Sequence, residues 1–470
     1  MKLIPARTAI LAALLAAPLL HAVVAGAAAP TTAASPTASL IAPAQAPASP
    51  LEKRVDEAFI AAYPLYEMAR ARFNAAINPL NPHPFPPNGE PAMRRALIDH
   101  TARDVTTPNN DTLYLATWLD LHHTPMRIQV PRVEGGRYYS ITLLDIFTNN
   151  FATLGRQRDG DGPIDVVVVG PGWTGPLPKG RVLRAPTNDV QVVGRFLVSG
   201  ADDAAAVHRL QDATTFTVVK AGAKPVPQWV PVITSTDPAN FLAVVNEMLA
   251  RNPVPAAEAA AFAGWADLGL GGGAYAFVRA TPEVQVAWRA RLPVLHEALK
   301  VGLRHGARQV SGWGVPPPQV GNFGTDTNLR AAVAFGGLSA LASTEAIYLN
   351  LETDPSGRPL DGTRRWKLLV PPLQAKAFWS LSMYEKDADG RLFFTDNPLK
   401  RYSIGDRTPM IQRKPDGSIE VLLQHERPTG DTNNWLPAPK GAYVITLRAY
   451  LPTDAMRRGE APLPRLLPAD

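Results

Sequence analysis

After residue 110, most of the chain consists of short apolar runs separated by turn residues, a pattern typical of β-strands. Apolar and polar positions alternate in Met126–Val130 and Tyr138–Ile146, and Gly and Pro separate these runs from their neighbours. Alternation with a period of two predicts strands that bury one face. The pattern therefore predicts a first β unit from about Asp111 to Ser199 and a second from about Leu329 to Leu451.

Two other segments have helical character. Apolar residues recur at helical spacing in Glu52–Ile77, which predicts a leading helix that Pro64 should kink. Between the β units, Asp237 and Thr281 each precede a proline, which is a favourable way to begin a helix. We therefore predict a mainly β fold with a helical insertion over residues 201–328.

The two β units repeat each other in sequence. Three segments of the first unit recur in order in the second: Asp111–Leu115 as Glu345–Leu349, Arg127–Pro131 as Lys367–Pro371, and Tyr138–Asp145 as Phe378–Glu385. An ordered repeat of this kind predicts one β-rich architecture built twice. Regular short strands with turn residues between them favour a sandwich or a jelly roll.

The first 50 residues have the composition of an export signal followed by a tether. Lys2 and Arg7 precede an apolar run that ends at Leu20, and Ala25–Ala27 is a small-residue cleavage site. We predict a signal peptide over residues 1–27 and a disordered Ala/Pro/Ser/Thr tether over residues 28–50. No later stretch reaches the roughly eighteen apolar residues of a membrane span. We therefore expect an exported protein, periplasmic or secreted, with no membrane span after signal cleavage.

The remaining chain divides into four predicted parts. These are an N-terminal β domain with a leading helix (51–200), the helical insertion (201–328), a C-terminal β domain (329–455) and a tail (456–470).

Composition and motifs exclude several function classes. The net charge of +6 is spread along the chain, so we expect no nucleic-acid partner. The chain has no Cys, which excludes disulfides, thiolate nucleophiles and cysteine zinc sites. It also lacks metal-ligand histidine spacing, a phosphate-binding loop and a G-x-S-x-G motif. We therefore predict neither a resident metal nor a cofactor.

Motifs along both β units resemble those of a bacterial family that pairs the domains of unknown function 1254 and 1214. The matching segments are Pro108–Tyr114, Gly136–Tyr139, Gly170–Trp173 and Ala185–Asn188 in the first unit, and Ala377–Leu381, Arg401–Asp406 and Asn434–Pro439 in the second. The resemblance covers about residues 55–455. It implies an exported protein with an N-terminal immunoglobulin-like β-sandwich, a helical middle and a C-terminal jelly-roll-like β-sandwich. It implies no established reaction.

The strand Tyr138–Ile146 and its repeat present two different faces. Tyr139, Ile141 and Leu143 share a face suited to a core, whereas Ser140 and Thr142 lie on the opposite face. A hydroxyl row of this kind is typical either of a cavity wall or of an ordinary solvent face.

Polar and aromatic residues also gather at the predicted strand ends. Asp111 and Asp145 are the predicted catalytic residues, because two carboxylates can serve as an acid/base pair or bind a cation. The predicted ligand-binding residues are Asn110, Tyr114, Tyr138, Asn149, Arg401, Tyr402 and Trp435. Two of these have structural alternatives, since Arg401 could bond loop carbonyls instead of an anion and Trp435 could pin a Pro-rich loop instead of stacking on a sugar.

Three function classes remain open at this point. The sequence favours an exported enzyme acting on a small molecule or glycan-like substrate in a cleft between the β domains. The alternatives are a non-catalytic protein that binds a carbohydrate, lipid or envelope component, and a structural or assembly protein. Homo-oligomerisation is compatible with each of them.

Overall fold

The computed structural model describes residues 45–103, 106–177, 179–305, 307–388 and 390–469. The predicted signal peptide, residues 1–27, and most of the predicted tether lie outside the described residues. Within the described part, the fold consists of four β-sheets and a cluster of helices, so the prediction of a mainly β protein with a helical middle is confirmed. No helix in this part is both long enough and apolar enough to cross a membrane.

The helices precede the first β unit, separate the two units and, in short pieces, interrupt each of them. They are α1 (Pro50–Ala76), α2 (Arg156–Asp159), α3 (Ala204–Ala213), α4 (Pro238–Arg251), α5 (Ala259–Gly264), α6 (Ala276–Arg279), α7 (Pro282–His305), α8 (Thr327–Gly336) and α9 (Asp454–Arg457). Helix α1 begins after Ser49, whose hydroxyl accepts from the backbone N–H of Glu52, and it continues through Pro64. Helix α4 begins as predicted, with Asp237 capping its first turn.

Two sheets form the first β unit. Its strands are β1 (Ala92–Met93), β2 (Thr112–Asp120), β3 (Met126–Val130), β4 (Tyr139–Leu144), β5 (Asn150–Gly155), β6 (Ile164–Val169), β7 (Arg181–Arg184), β8 (Asp189–Leu197) and β9 (Thr215–Val218). Sheet 1 has the order β1-β2-β8-β4-β5, and sheet 2 has the order β7-β6-β3-β9. Strand β9 pairs with β3, so sheet 2 includes residues beyond position 200, the predicted end of the N-terminal β domain.

Two further sheets form the second β unit. Its strands are β10 (Arg308–Val310), β11 (Trp313–Val315), β12 (Ala346–Leu351), β13 (Trp366–Val370), β14 (Ala375–Lys386), β15 (Leu392–Phe393), β16 (Ser403–Gly405), β17 (Ile419–Gln424), β18 (Trp435–Pro437), β19 (Tyr443–Pro452) and β20 (Arg465–Pro468). Sheet 3 has the order β10-β11-β12-β19-β14-β15, with β16 also on β14, and sheet 4 has the order β18-β17-β13-β20. The predicted tail therefore supplies a strand, β20, to this unit.

The two β units share one topology. The order β2-β8-β4-β5 in sheet 1 recurs as β12-β19-β14-β16 in sheet 3, and β9-β3-β6-β7 in sheet 2 recurs as β20-β13-β17-β18 in sheet 4. Each unit also contains one parallel pair, β6 with β7 and β17 with β18. The sequence repeat is therefore a repeat of strand order and direction. We call positions related by it equivalent positions.

The repeat extends to close backbone contacts. Gly155 lies opposite Ser140, and Gly405 lies opposite Ser380. A Cβ atom added at either glycine would collide with a backbone carbonyl oxygen, that of Tyr139 in the first unit and that of the equivalent residue in the second. Both units therefore need glycine at the same place, where two strands approach too closely for a side chain.

Each pair of sheets encloses an apolar core, as the alternation predicts. Tyr139, Ile141 and Leu143 point into the core between sheets 1 and 2, and Leu381 and Met383 point into the core between sheets 3 and 4. The opposite faces of sheets 1 and 3 are not exposed to solvent, because Ser140 and the other hydroxyl residues of these strands are buried. We call these the outer faces. The helices α1, α4, α7 and α8 pack together and cover part of the outer face of sheet 1.

A buried ion-pair network joins the helices to sheet 1. Arg251, the last residue of α4, donates to both carboxylate oxygens of Asp189 at 2.7 Å and to Asp120 at 3.1 Å. Arg72 of α1 lies within 3.7 Å of the same two carboxylates. Burial alone would raise the pKa of Asp189, but the guanidinium groups of Arg72 and Arg251 hold it well below its ordinary value. The network therefore fixes the helical cluster on the sheet through charge as well as apolar packing.

We expect Arg251→Met to lower the free energy of unfolding by about 3–5 kcal/mol, because it leaves two buried carboxylates short of a cation. Urea denaturation at neutral pH would measure this. The control is Arg127→Met, which breaks an ion pair with Asp165 on the exposed side of sheet 2 and should change the stability little. Equal losses in both variants would contradict a special role for the network.

Candidate functional site

The two β units meet through the outer faces of sheets 1 and 3. Tyr138 packs edge-on against its equivalent, Phe378, with ring centroids 5.6 Å apart. Tyr450 stacks on Phe378 at 4.1 Å and also contacts Tyr138. These aromatic residues and the aliphatic residues around them form a small buried cluster. The central pair of this contact, Tyr138 and Phe378, therefore comes from equivalent positions of the two units.

A cavity of about 250 Å³ lies between the two outer faces and the C-terminal end of α8. Four large side chains form its opposing walls, Tyr114 and Arg195 from sheet 1 and Tyr348 and Arg448 from sheet 3. They come from equivalent positions, since strand pairing places Tyr114 beside Arg195 and Tyr348 beside Arg448. We call this the central cavity. The repeat thus brings two arginines and two tyrosines together at one place.

Arg195 is a buried cation with few partners. It is 3% exposed, and its guanidinium donates a long hydrogen bond of 3.3 Å to the carbonyl oxygen of Ser339. Its Nε and Nη1 atoms are buried without a hydrogen-bond partner, and no carboxylate lies within ion-pair distance of it among the described residues. The guanidinium carbon also lies over the ring of Tyr114, 5.2 Å from its centroid. Such an arrangement is costly unless something else occupies the cavity.

The charge of Arg195 is secure in spite of its burial. Burial acts to lower its pKa, but the oxygens of Tyr114, Tyr348 and other nearby tyrosines outweigh this, so the pKa lies above its ordinary value. The guanidinium is therefore a permanent cation on the cavity wall.

Arg448, at the equivalent position, donates its hydrogen bonds to other groups of the protein. It donates to the hydroxyls of Ser382 and Tyr384 and, at 3.1 Å, to the carbonyl oxygens of Thr107 and Pro108. It holds the segment before β2 against sheet 3. The two equivalent arginines therefore differ, since Arg448 has donors committed to the protein and Arg195 has donors to spare.

The end of α8 closes the central cavity. Ser339 has a φ of 66°, which is unusual for a residue other than glycine, and its hydroxyl donates to Gln191 of β8 at 2.6 Å. The turn is thereby tied to sheet 1 and presents the Ser339 carbonyl to Arg195. The wall of the cavity next to Arg195 is therefore formed by the turn at Ser339 and by sheet 1.

The chemistry of the lining is that of an anion site with an apolar body. The described lining contains arginine, tyrosine, threonine, asparagine and serine beside apolar groups, with neither carboxylate nor histidine. Burial raises the pKa of Tyr348, so its hydroxyl stays protonated. The cavity therefore offers positive charge, hydroxyl groups and aromatic faces.

The structure does not bring the two predicted catalytic carboxylates together. Asp111 precedes the residue paired with Leu197, and Asp145 follows the residue paired with Gln191, so they lie at opposite ends of sheet 1. The separation along β8 is six residues, or about 20 Å. Asp145 is buried, accepts hydrogen bonds from the backbone of its own turn, and has a pKa raised by burial to about 6. An acid/base pair between these residues has no geometric support.

Several predicted ligand-binding residues hold loops in place. Asn149 donates to Asp145 of its own turn. Arg401 donates to three loop carbonyls, including that of Trp435 at 2.8 Å, and Trp435 is buried with its indole N–H on the carbonyl of Gln424. Arg401 thus bonds backbone carbonyls, and the indole N–H of Trp435 bonds the last residue of strand β17.

Other predicted residues do line cavities. Tyr114 lies in the central cavity. Asn110, Asp111, Arg401 and Tyr402 lie together on the wall of another cavity, of about 390 Å³, at the edge of the interface between the units. We call this the edge cavity. Four residues chosen from distant parts of the sequence thus meet at one place.

Sequence reasoning missed Arg195, Arg448 and Tyr348. The sequence did contain an indication of this site. Tyr114 and Tyr348 are equivalent in the sequence repeat, and an arginine lies within a predominantly apolar strand near the end of each unit. A charged residue in a buried strand is rare enough to suggest a site.

A metal centre receives no support from the one acidic cluster found in the described part of the chain. Asp120, His122 and Asp189 place ligand atoms within 4.8 Å of one another. The guanidinium groups of Arg72 and Arg251 already neutralise these carboxylates. We therefore assign the cluster to the ion-pair network described above.

Comparisons with known proteins agree with this architecture. Residues 89–218 match the family model described as "Protein of unknown function (DUF1254)", and residues 345–454 match "Protein of unknown function (DUF1214)". The chain thus carries the predicted pairing of domains, one in each β unit. No curated protein matches the chain.

Two solved structures are similar to the chain. The VPA0106 protein from Vibrio parahaemolyticus is 22% identical, with a TM-score of 0.71 over 89% of this chain and 100% of that one. An uncharacterised protein from Burkholderia cenocepacia is 14% identical, with a TM-score of 0.43 over 90% of this chain and 91% of that one. The first of these shows that the fold is shared.

Glu345 gives the interface a pH dependence. It is 2% exposed, occupies the position equivalent to Asp111, and accepts a hydrogen bond of 2.8 Å from the hydroxyl of Tyr138. Burial raises its pKa from 4.5 to about 7, against smaller opposing effects of Tyr138 and Arg195. The folded protein therefore keeps a proton at Glu345 that the unfolded chain releases.

We expect this proton to make the stability fall as the pH rises from about 4.5 to about 7, by on the order of 3 kcal/mol, and to have little further effect above that range. Glu345→Gln cannot ionise and should lack this fall, so its gain over the natural protein should grow with pH. Denaturation at several pH values would test this, with the exposed Glu352→Gln as control. Parallel pH profiles for Glu345→Gln and the natural protein would show that Glu345 titrates like an exposed carboxyl.

Proposed function

We propose that the protein binds a small organic anion in the central cavity between its two β domains. The observation that carries this proposal is Arg195, a buried permanent cation with two unpartnered N–H-bearing atoms on the cavity wall. A buried charge without a counter-charge favours any state that supplies one. Bound anion is the simplest such state.

A carboxylate with a compact apolar body fits the cavity best. The volume of about 250 Å³ lies just below the range of about 300–1,000 Å³ that is usual for drug-sized ligands. Guanidinium and carboxylate groups match each other in a planar, two-bond arrangement. The rings of Tyr114 and Tyr348 on opposing walls supply apolar surface for the rest of the ligand.

Binding is better supported than catalysis. The central cavity holds no carboxylate or histidine among its described lining residues, and these are the commonest general acids and bases. The predicted acid/base pair, Asp111 and Asp145, is divided between the two ends of sheet 1. The geometry therefore favours the binding alternative over the enzyme that the sequence favoured.

Export belongs to the same proposal. Residues 1–27 combine a basic start, an apolar run and a small-residue cleavage site. An exported binding protein for a small carboxylate would meet its ligand outside the cytoplasm, in the periplasm or beyond it.

The proposal predicts opposite effects of Arg195→Met on binding and on stability. Benzoate and hexanoate should bind the natural protein and raise its melting temperature, and the variant should lose about tenfold or more in affinity. Without ligand, the variant should be at least as stable as the natural protein, because it removes an unpaired buried charge. Calorimetric titration and thermal unfolding would measure both effects.

The matched control is Arg127→Met, which removes an arginine from exposed surface far from the cavity. Arg195→Lys tests the planar geometry, since it keeps the charge but loses the two-bond arrangement. Carboxylate binding that survives Arg195→Met unchanged would rule out this site. A large loss of stability without ligand would instead make Arg195 a structural residue.

A further inference from the structure

The geometry points to a second binding site in the edge cavity, for a neutral polyhydroxylated ligand such as a sugar, held between Asp111 and Arg407. Asp111 is 5% exposed and lines this cavity of about 390 Å³. Its carboxylate accepts from the hydroxyl of Ser380 at 2.6 Å and lies 3.6 Å from a guanidinium nitrogen of Arg407. A carboxylate and a guanidinium thus stand side by side at the cavity wall.

A comparison of equivalent positions shows how the surroundings of Asp111 differ from those of its counterpart, Glu345. In the first unit, the hydroxyl of Tyr138 donates to Glu345, the equivalent of Asp111, and closes it off from solvent. The equivalent of Tyr138 is Phe378, which has no hydroxyl to give to Asp111. Asp111 therefore faces the edge cavity, whereas Glu345 lies outside the lining of any cavity described here.

A second difference supplies the cation. Arg407 lies two residues after Gly405, and Gln157 occupies the equivalent place after Gly155. Arg407 stacks over the ring of Phe378 with its guanidinium carbon 4.3 Å from the centroid. Its Nε atom is buried without a hydrogen-bond partner, and its side chain is 26% exposed. The second unit thus has Phe378 where the first has Tyr138, and it also has Arg407, a cation whose Nε–H has no hydrogen-bond partner.

The paired charges select a neutral ligand. Asp111 largely neutralises Arg407, so this guanidinium lacks the uncompensated charge of Arg195. Two further cations line the cavity: Arg401 is bonded to backbone carbonyls, and Lys400 is an exposed residue. Neighbouring hydroxyls of a sugar can satisfy both Asp111 and Arg407, because one hydroxyl donates to the carboxylate while the next accepts from the guanidinium. Charged partners make such hydrogen bonds stronger than neutral ones.

The rest of the wall suits the same ligand class. Asn110 and Ser403 are joined by a hydrogen bond of 2.8 Å and offer further donors and acceptors. Leu97 and Leu399 provide apolar surface for the carbon face of a sugar ring. Polar groups fixed by mutual hydrogen bonds beside apolar surface are typical of small-molecule sites.

The test is binding of glucose and N-acetylglucosamine to the full chain, measured by saturation-transfer NMR and by titration in the millimolar range. We expect both Asp111→Asn and Arg407→Gln to weaken sugar binding by about tenfold or more. Arg407→Gln installs the residue that the first unit carries at the equivalent position, so it should fold. Circular dichroism and cooperative thermal unfolding would confirm this for both variants.

Two controls separate this site from the central cavity. Lys376→Gln removes a cation from the cavity beside Gln157, which is the counterpart of the edge cavity in the other half, and should leave sugar binding unchanged. Arg195→Met should likewise leave it unchanged, whatever its effect on benzoate. Failure of benzoate binding would thus overturn only the proposed function, and failure of sugar binding only the present inference.

Three results would overturn the inference. The first is that neither sugar binds the natural protein at millimolar concentration. The second is that a sugar binds equally well to the natural protein and to both variants. The third is that Arg407→Gln weakens binding of benzoate instead of sugar, which would make the edge cavity an anion site.

Discussion

The architecture depends on burying polar side chains between two sheets. A sheet whose outer face carries hydroxyl and guanidinium groups can be covered by another sheet only if those groups find partners, because each buried group left unpaired costs free energy. Here the partners come largely from the other β unit, as when Tyr138 donates to Glu345 and Ser380 donates to Asp111. Arg448 is likewise satisfied by carbonyl groups of the segment before β2. The hydroxyls of Ser140 and Thr142 stay without a partner, and the charged exception is Arg195, with two unpartnered nitrogens beside the central cavity.

Duplication explains how such an exception can persist. Both units keep the backbone features that the fold requires, including the parallel strand pair and the glycine at the close strand contact. The side chains on the outer faces have more freedom, since one copy can maintain a contact while the other changes. Arg448 is bonded to the protein while Arg195 keeps two unpartnered nitrogens, and Tyr138 donates to Glu345 while Phe378 has no hydroxyl to give to Asp111. Differences between equivalent positions therefore mark the candidate sites more sharply than either unit does alone.

Local patterns in the sequence predicted the parts of the fold that local physics determines. Alternation placed Tyr139, Ile141 and Leu143 in a core because side chains of a strand alternate between its faces. The sequence repeat anticipated the shared topology. The short strands β9 and β20 were missed because they pair with β3 and β13 across long stretches of chain.

For the site, asparagine, arginine and tryptophan are ambiguous, since the same groups that bind ligands also hold loops, as Arg401 and Trp435 do. Contacts between the units span more than 200 residues, and no local pattern encodes them.

One difference in charge pairing gives the two cavities different chemistry. Arg407 has a carboxylate 3.6 Å away, so a ligand gains little by bringing negative charge to it. Among the described residues Arg195 has no such carboxylate, and the buried group that could most nearly play this part, Glu345, is held protonated by burial below about pH 7. Because Arg195 acts to lower the pKa of Glu345, the two groups influence each other electrostatically. Ionisation of Glu345 at higher pH would weaken the field of Arg195, whereas a bound anion would favour the protonated carboxyl. If the central cavity binds an anion as proposed, its affinity therefore depends on Glu345, a carboxyl group outside its own lining at the interface of the two units.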